Sequence, residues 1–138
     1  MVSVSRFAGP LHLRHLVFTH FSMAANGASA KRLTFAGRYN ATPSWSPRNN
    51  KIAFAGWKDN AFDIFIMNTD GTNIERLTKN QGNNEDPSFS ADGNFLVFSS
   101  NRADQKNIYV MNVDGTFVKR LTYGMGNCVS PRWSNPPR

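Results

Sequence analysis

The sequence predicts an all-β fold: a β-propeller of four-stranded antiparallel blades with a 44-residue repeat and an incomplete ring. Three observations carry that prediction. First, Arg32-Leu33-Thr34 returns without a gap as Arg76-Leu77-Thr78 and Arg120-Leu121-Thr122, each step 44 residues. Second, Pro43-Ser44-Trp45-Ser46 returns at the same step as Pro87-Ser88-Phe89-Ser90 and Pro131-Arg132-Trp133-Ser134. A period near this length allows propeller blades or paired-helix repeats of roughly 40–47 residues. Third, the apolar runs are short, rich in Ile, Val, Phe and Tyr, and punctuated by Gly, Pro, Asn and Asp, which suits strands and not helices.

Taken in order, residues 1–18 match nothing in the repeat and are expected to be an unassigned, disordered extension. Ala28-Ser29-Ala30 has the small-residue pattern of a signal-peptidase site, with Arg6 where a basic n-region would lie. His12, Arg14, His15 and His20 interrupt the segment that would have to be apolar, so a signal peptide is rejected. Phe21 to Gly27 stands one repeat before Phe65 to Gly71 and shares its Phe, Met and Gly. Residues 19–42 therefore read as the outer part of a blade, leading into Lys31–Thr34.

The first whole unit, 43–78, is expected to place strands at Thr42–Ser46, Lys51–Gly56, Asp63–Asn68 and Ile74–Thr78. The second, 87–122, places them at Asp86–Ser90, Asn94–Ser100, Asn107–Asn112 and Val118–Thr122. Residues 129–134 are a leftover first strand. The third strands, Ile64-Phe65-Ile66-Met67 and Ile108-Tyr109-Val110-Met111, are apolar at consecutive positions, which predicts burial on both faces. Trp45, Phe54, Phe89, Phe98 and Met111 are the expected core. Asp70-Gly71, Asp114-Gly115 and Asp92-Gly93 sit between strands as hairpin signals, because Gly accepts positive φ without steric cost. Pro47-Arg48-Asn49-Asn50 uses Asn in that role. One carboxylate beside a Gly falls far short of the six to eight oxygens that calcium requires.

Composition excludes several classes. No apolar run is long enough for a membrane-spanning helix. A single Cys128 rules out an internal disulfide and, without Cys/His spacing, a zinc site. The net charge of +7 invites a nucleic-acid reading. However, Arg6, Arg14, Lys31 and Arg32 contribute four of those charges from a stretch without acids, and the rest scatter among loops. No basic stripe interleaved with aromatics appears, so no nucleic-acid partner is expected. All three histidines precede the first whole unit, no Gly-x-Ser-x-Gly elbow occurs, and the acidic pair Glu85-Asp86 is adjacent along an extended segment. No catalytic residue, cofactor or metal is expected.

The order Arg-Leu-Thr, Pro-Ser-Trp-Ser-Pro, Ile-Ala-Phe, Asp-Ile-Phe-Ile-Met-Asn, Asp-Gly-Thr resembles the propeller repeat of TolB-type proteins over residues 20–138. It departs from that repeat at Arg48-Asn49, where Asp-Gly is usual, and at Phe89, where Trp is usual. The resemblance implies a non-enzymatic periplasmic component of the Tol–Pal system that supports outer-membrane integrity and cell division. It implies the peptidoglycan-associated lipoprotein and other Tol proteins as partners. Family members have about six blades and an α/β domain, so the chain is expected to be a C-terminal fragment. Its open sheet edges would invite self-association, and three copies would supply about six blades. The same repeat occurs in propellers of serine peptidases, where it gates substrate, and a carbohydrate-binding propeller is a further reading.

Topology then places the candidate site. Loops leading into each innermost strand lie on one end with the loops between second and third strands, around the ring opening. These loops differ between units while the strands stay alike, as when function is laid onto a scaffold. The candidate partner-binding residues are Arg38, Tyr39, Asn40 and Thr42, then Asn83, Asn84, Glu85 and Asp86, and Asn127. Trp57, Lys58 and Arg102 join them from the second-to-third loops. An exposed aromatic near Arg has the composition of an interface anchor, which singles out Arg38, Tyr39 and Trp57.

Overall fold

The computed structural model describes residues 2–7, 18–37 and 39–134. Every regular element among them is a strand, and the strands make three antiparallel sheets. The first sheet runs β1 (Val2–Phe7), β2 (Phe18–Met23), β3 (Lys31–Arg32). The middle sheet runs β4 (Asn40–Trp45), β5 (Lys51–Lys58), β6 (Ala61–Asn68), β7 (Glu75–Arg76). The last runs β8 (Asn84–Phe89), β9 (Phe95–Ala103), β10 (Gln105–Asn112), β11 (Lys119–Arg120). Neighbours in sequence are neighbours in each sheet, which is the meander of a propeller blade.

The most repeated tripeptide explains how each blade keeps its short outer strand. The Leu amide donates to a third-strand carbonyl: Leu33 to His20, Leu77 to Ile64 and Leu121 to Ile108, all at 2.8 Å. The Thr hydroxyl accepts the amide of that same residue, at 2.8 Å for Thr34, 2.9 Å for Thr78 and 2.9 Å for Thr122. The Arg Nε turns back onto the Thr carbonyl at 2.8, 3.2 and 2.6 Å. Three units with one bonding pattern establish the first sheet as a blade in register with the others.

Two cores lie between the sheets. Ala53, Ile64 and Ile66 of the middle sheet meet Phe89, Leu96, Phe98, Tyr109 and Met111 of the last, with Leu77 packed against them. Leu33 meets Ile52, Phe54 and Met67 on the other side. The Asp-Gly turns seal these interfaces. Gly71 and Gly115 hold φ of 90° and 85°, and a Cβ at Gly71 would lie 2.8 Å from the Leu33 carbonyl. The turn carboxylates Asp70 and Asp114 each accept the amide and hydroxyl of the following Thr, which holds them below the usual carboxylate range. In the first β4–β5 turn the left-handed residue is Asn50, with φ of 47°.

Several expectations are corrected. The stretch 1–18, expected to be disordered, contains β1, which pairs antiparallel with β2 from Val2↔Met23 to Phe7↔Phe18. Among the described residues the first blade thus has three strands, β1, β2 and β3. Trp45 is half-buried and not core: among the described residues no strand of the first sheet stands beside it as β4 stands beside its counterpart Phe89, which is 6% exposed. Residues 129–134 form no strand, since none of the described residues offers them a second strand to pair with. Burial on both faces holds for β6, where Ile64, Ile66 and Met67 are all buried. In β10 it alternates, and Ile108 and Val110 are only half-buried, because among the described residues no sheet packs against that side.

Two stability outcomes follow from this packing. Phe98→Ala should cost about 3–5 kcal/mol in denaturant unfolding, and a loss below about 1 kcal/mol would mean the site is not the core it looks. His20 is fully buried, edge-on to Phe54 at 5.0 Å, and loss of hydration pushes its pKa from 6.5 to about 4. The unfolded chain therefore binds the extra proton between these values. Stability should be full above pH 6.5 and fall by up to about 3 kcal/mol as pH drops towards 4. His20→Ile, the residue both later units carry, should flatten that slope in pH-dependent thermal melts.

Candidate functional site

The loops into β4 and β8 and the β5–β6 and β9–β10 turns gather at one end of the sheets, as the topology predicts. The second-to-third connections are tight turns and not loops. Asp59 and Asn60 both take positive φ, 51° and 63°, so Trp57 and Lys58 belong to β5, and Arg102 belongs to β9. Tyr39, Phe62 and Trp57 form a ring cluster at this end: Tyr39 and Trp57 meet Phe62 edge-on at 5.3 and 4.9 Å. The Trp57 amide donates to the Tyr39 carbonyl at 2.8 Å. Arg38 lies outside the described residues.

Several candidates have internal partners. The Asn83 Oδ1 accepts the Phe62 amide at 3.0 Å, and one repeat later the Asn127 Oδ1 accepts the Lys106 amide at 3.0 Å. Each ties the loop of one blade to the third strand of the blade before. Asn84 is fully buried and donates to Asp63 at 3.1 Å while accepting from Arg102 at 2.8 Å. Asp63 also takes Arg76 and Thr78, at 2.5 and 2.7 Å. Arg76 reaches Asp59 as well, and its donation holds that carboxyl below the usual range. Glu85 pairs with Lys106. Thr42 and Asp86 occupy equivalent bulges in the innermost strands, with φ of 47° and 54°. Their place in the sequence marks a backbone kink, which composition alone could not reveal.

The clearest feature is a cleft of about 510 Å³ between the first and middle sheets. Phe54 and Phe65, stacked at 5.5 Å, lie at its base, and Thr34, Asn40, Gly56, Trp57, Lys58 and Arg76 line it. The same place one repeat later is filled. There Arg102 lays its guanidinium over Tyr109 at 4.6 Å and Phe98 at 5.3 Å, and its Nε donates to Ser100 at 3.0 Å. Burial pushes the Arg102 pKa down, yet a guanidinium stays charged at neutral pH. The middle sheet has Lys58 where the last has Arg102, and Gly56 where the last has Ser100. A lysine lacks the flat delocalised cation that stacks on rings, and glycine supplies no hydroxyl to hold one. Among the described residues these two differences leave the cleft without a group that fills it as Arg102 does. Of the candidates, Asn40, Trp57 and Lys58 are brought together here, with Tyr39 adjoining. Phe54, Phe65 and Gly56 were missed because the repeat reads them as strand core; the Gly56/Ser100 and Lys58/Arg102 differences were the available signal.

Blades in this meander, joined by a repeated clamp, define a β-propeller of the repeat type. The chain belongs to the TolB beta propeller domain family, whose model matches residues 39–137. It is similar to a TolB structure from Agrobacterium tumefaciens, with 29% identity and a TM-score of 0.78 over 83% of this chain and 41% of that one. A TolB from Acinetobacter baumannii gives 21% identity and a TM-score of 0.72 over 94% of this chain and 32% of the other. The tricorn protease shares the fold at 19% identity and a TM-score of 0.61, covering 85% of this chain and 10% of that protein. This chain therefore spans less than half of each. No curated protein matches it in sequence.

Lys58→Arg should let a guanidinium stack on Phe54–Phe65 and gain about 0.5–1 kcal/mol in unfolding experiments. Arg102→Ala should lose about 1–2 kcal/mol, since it leaves the Asn84 oxygen and two ring faces uncovered. A Lys58→Arg variant less stable than the parent would contradict the reading of the two clefts as one design.

Proposed function

We propose that this chain is a non-enzymatic, protein-binding propeller module that receives a segment of a partner protein in the cleft between its first and middle sheets. The observation that carries this reading is the contrast between that open cleft and its repeat, which Arg102 fills. A repeat scaffold that closes one equivalent site and leaves the other open has a concave, aromatic-based pocket with a few polar groups at its rim, the form that ligand sites take. Trp57 is 38% exposed beside it and serves as the anchor. Lys58 gives the rim a positive charge suited to an acidic group of the partner.

The resemblance to TolB-type proteins supports the peptidoglycan-associated lipoprotein as that partner, a periplasmic location, and a contribution to outer-membrane integrity. Among the described residues no helix is long and apolar enough to cross a membrane.

The test is calorimetric titration of the chain with the soluble domain of the peptidoglycan-associated lipoprotein. The parent should bind, and Trp57→Ala and the cleft-filling Lys58→Arg should each weaken binding by about fivefold or more, a loss of roughly 1 kcal/mol. Arg102→Ala, at the filled site, should leave affinity within about twofold. Silence from the parent would remove this partner. Equal binding by parent and Lys58→Arg would remove the cleft.

A further inference from the structure

The repeat supplies a filled counterpart of the open cleft, and the two share more than a backbone. In the last sheet Phe98 and Tyr109 stack with centroids 5.9 Å apart and planes 25° apart. The Arg102 guanidinium lies over both rings, and its Nη2 donates to the Asn84 side-chain oxygen at 2.8 Å. In the middle sheet Phe54 and Phe65 make the same platform, 5.5 Å and 17° apart.

The acceptor is kept as well. Asn40 stands where the other seam has Asn84, and both are buried. Each amide is held the same way: Asn84 Nδ2 donates to the Gly82 carbonyl and Asn40 Nδ2 to the Ala36 carbonyl, both at 3.2 Å. The Asn40 Oδ1 is thereby turned towards Gly56, where a Cβ would stand 3.3 Å from it. A side-chain carbonyl accepts two donors. Platform and acceptor therefore persist, whereas the guanidinium and the Ser100 hydroxyl that steadies it have Lys58 and Gly56 in their places.

Charge does not forbid a cation here. Arg76, on the cleft wall, is met by Asp59 and Asp63 at 2.6 and 2.5 Å. Its counterpart Arg120 has the neutral Asn107 in the place of Asp63, and Arg102 is seated nearby all the same. Lys58 is exposed, so its ammonium turns outward to water or to an acid. Asp63 supports the filled slot through Asn84, and one repeat earlier its position is the neutral Thr19. A cation in the open cleft is thus held by rings and an amide without a carboxylate behind them, which suits exchange.

On the reading that a partner segment enters this cleft, we infer that the group seated there is an arginine side chain. Its guanidinium lies flat on Phe54 and Phe65 and donates to Asn40 Oδ1, as Arg102 does one blade later. A planar cation stacks on ring faces while its N–H groups point along the plane to an acceptor, and an ammonium does not. An acidic residue beside that arginine meets Lys58 at the rim. The seat is built wholly from residues 34–76.

The test uses the chain with Trp45→Phe and Trp133→Phe, which leaves Trp57 at the cleft as its single indole. N-acetyl-arginine amide is titrated at constant ionic strength against the lysine amide and the citrulline amide, which is flat but uncharged. The arginine probe should change Trp57 emission saturably, and the other two should need at least about fivefold higher concentration, the weight of one cation–ring contact. Lys58→Arg, whose own guanidinium takes the seat, should abolish the response. Saturation-transfer NMR on the unmodified chain should reach the δ protons of the arginine probe most strongly. No response, an equal response to lysine, or a stronger one to phenylalanine amide would overturn the arginine seat. If the soluble lipoprotein domain binds the parent but not Lys58→Arg while arginine is not preferred, the cleft stands and the guanidinium falls. An arginine-specific response with a silent lipoprotein domain keeps the seat and removes only that partner.

Discussion

A two-residue outer strand cannot hold itself in a sheet, and the Arg-Leu-Thr clamp is what keeps each blade of this molecule four strands wide. Its three members act on different groups. Leu brings a backbone bond to the third strand, Thr takes the next backbone donor with its hydroxyl, and Arg closes the Thr carbonyl. In the first two blades the backbone groups so satisfied lie in the seam between blades, where an unmade buried bond costs about 1–3 kcal/mol. The clamp also sets the Leu backbone against the next blade's Asp-Gly turn, Leu33 against Gly71 and Leu77 against Gly115. One tripeptide therefore sets both the width of a sheet and its spacing to the next.

That spacing makes differences between equivalent positions meaningful. The middle and last sheets share backbone and clamp, and each stacks two rings at this place, Phe54 on Phe65 and Phe98 on Tyr109, so the change from Ser100 and Arg102 to Gly56 and Lys58 bears directly on what fills a cleft. Glycine here is a matter of space: a Cβ at Gly56 would come within 2.9 Å of the Phe65 ring. The polar residues nearby divide by burial. Asn83, Asn84 and Asp63 serve the seam between blades, whereas Tyr39, Trp57 and Lys58 stand at its mouth.

The same reasoning explains the ends. A blade is apolar on both faces because neighbours cover both, and the last sheet, covered on one face among the described residues, shows half-buried Ile108 and Val110 where β6 shows buried Ile64 and Ile66.

By itself the sequence determined the repeat, the all-β class, the order of strands and most of the core, because a gapless period forces equivalent residues into equivalent environments. Phe54, Phe89, Phe98 and Met111 were legible as core for that reason. It also pointed to Asn40, Trp57 and Lys58. Only the tertiary structure decided the rest. β1 was invisible because its connection to β2 breaks the spacing that marks the other blades. Trp45 was overrated because burial depends on a strand that its own blade does not contain. Asn84 and Asn127 looked like variable loop residues until their bonds to the preceding blade appeared. Periodicity reports what every blade must do; whether a cleft is filled or a face covered depends on neighbours that no repeat unit encodes.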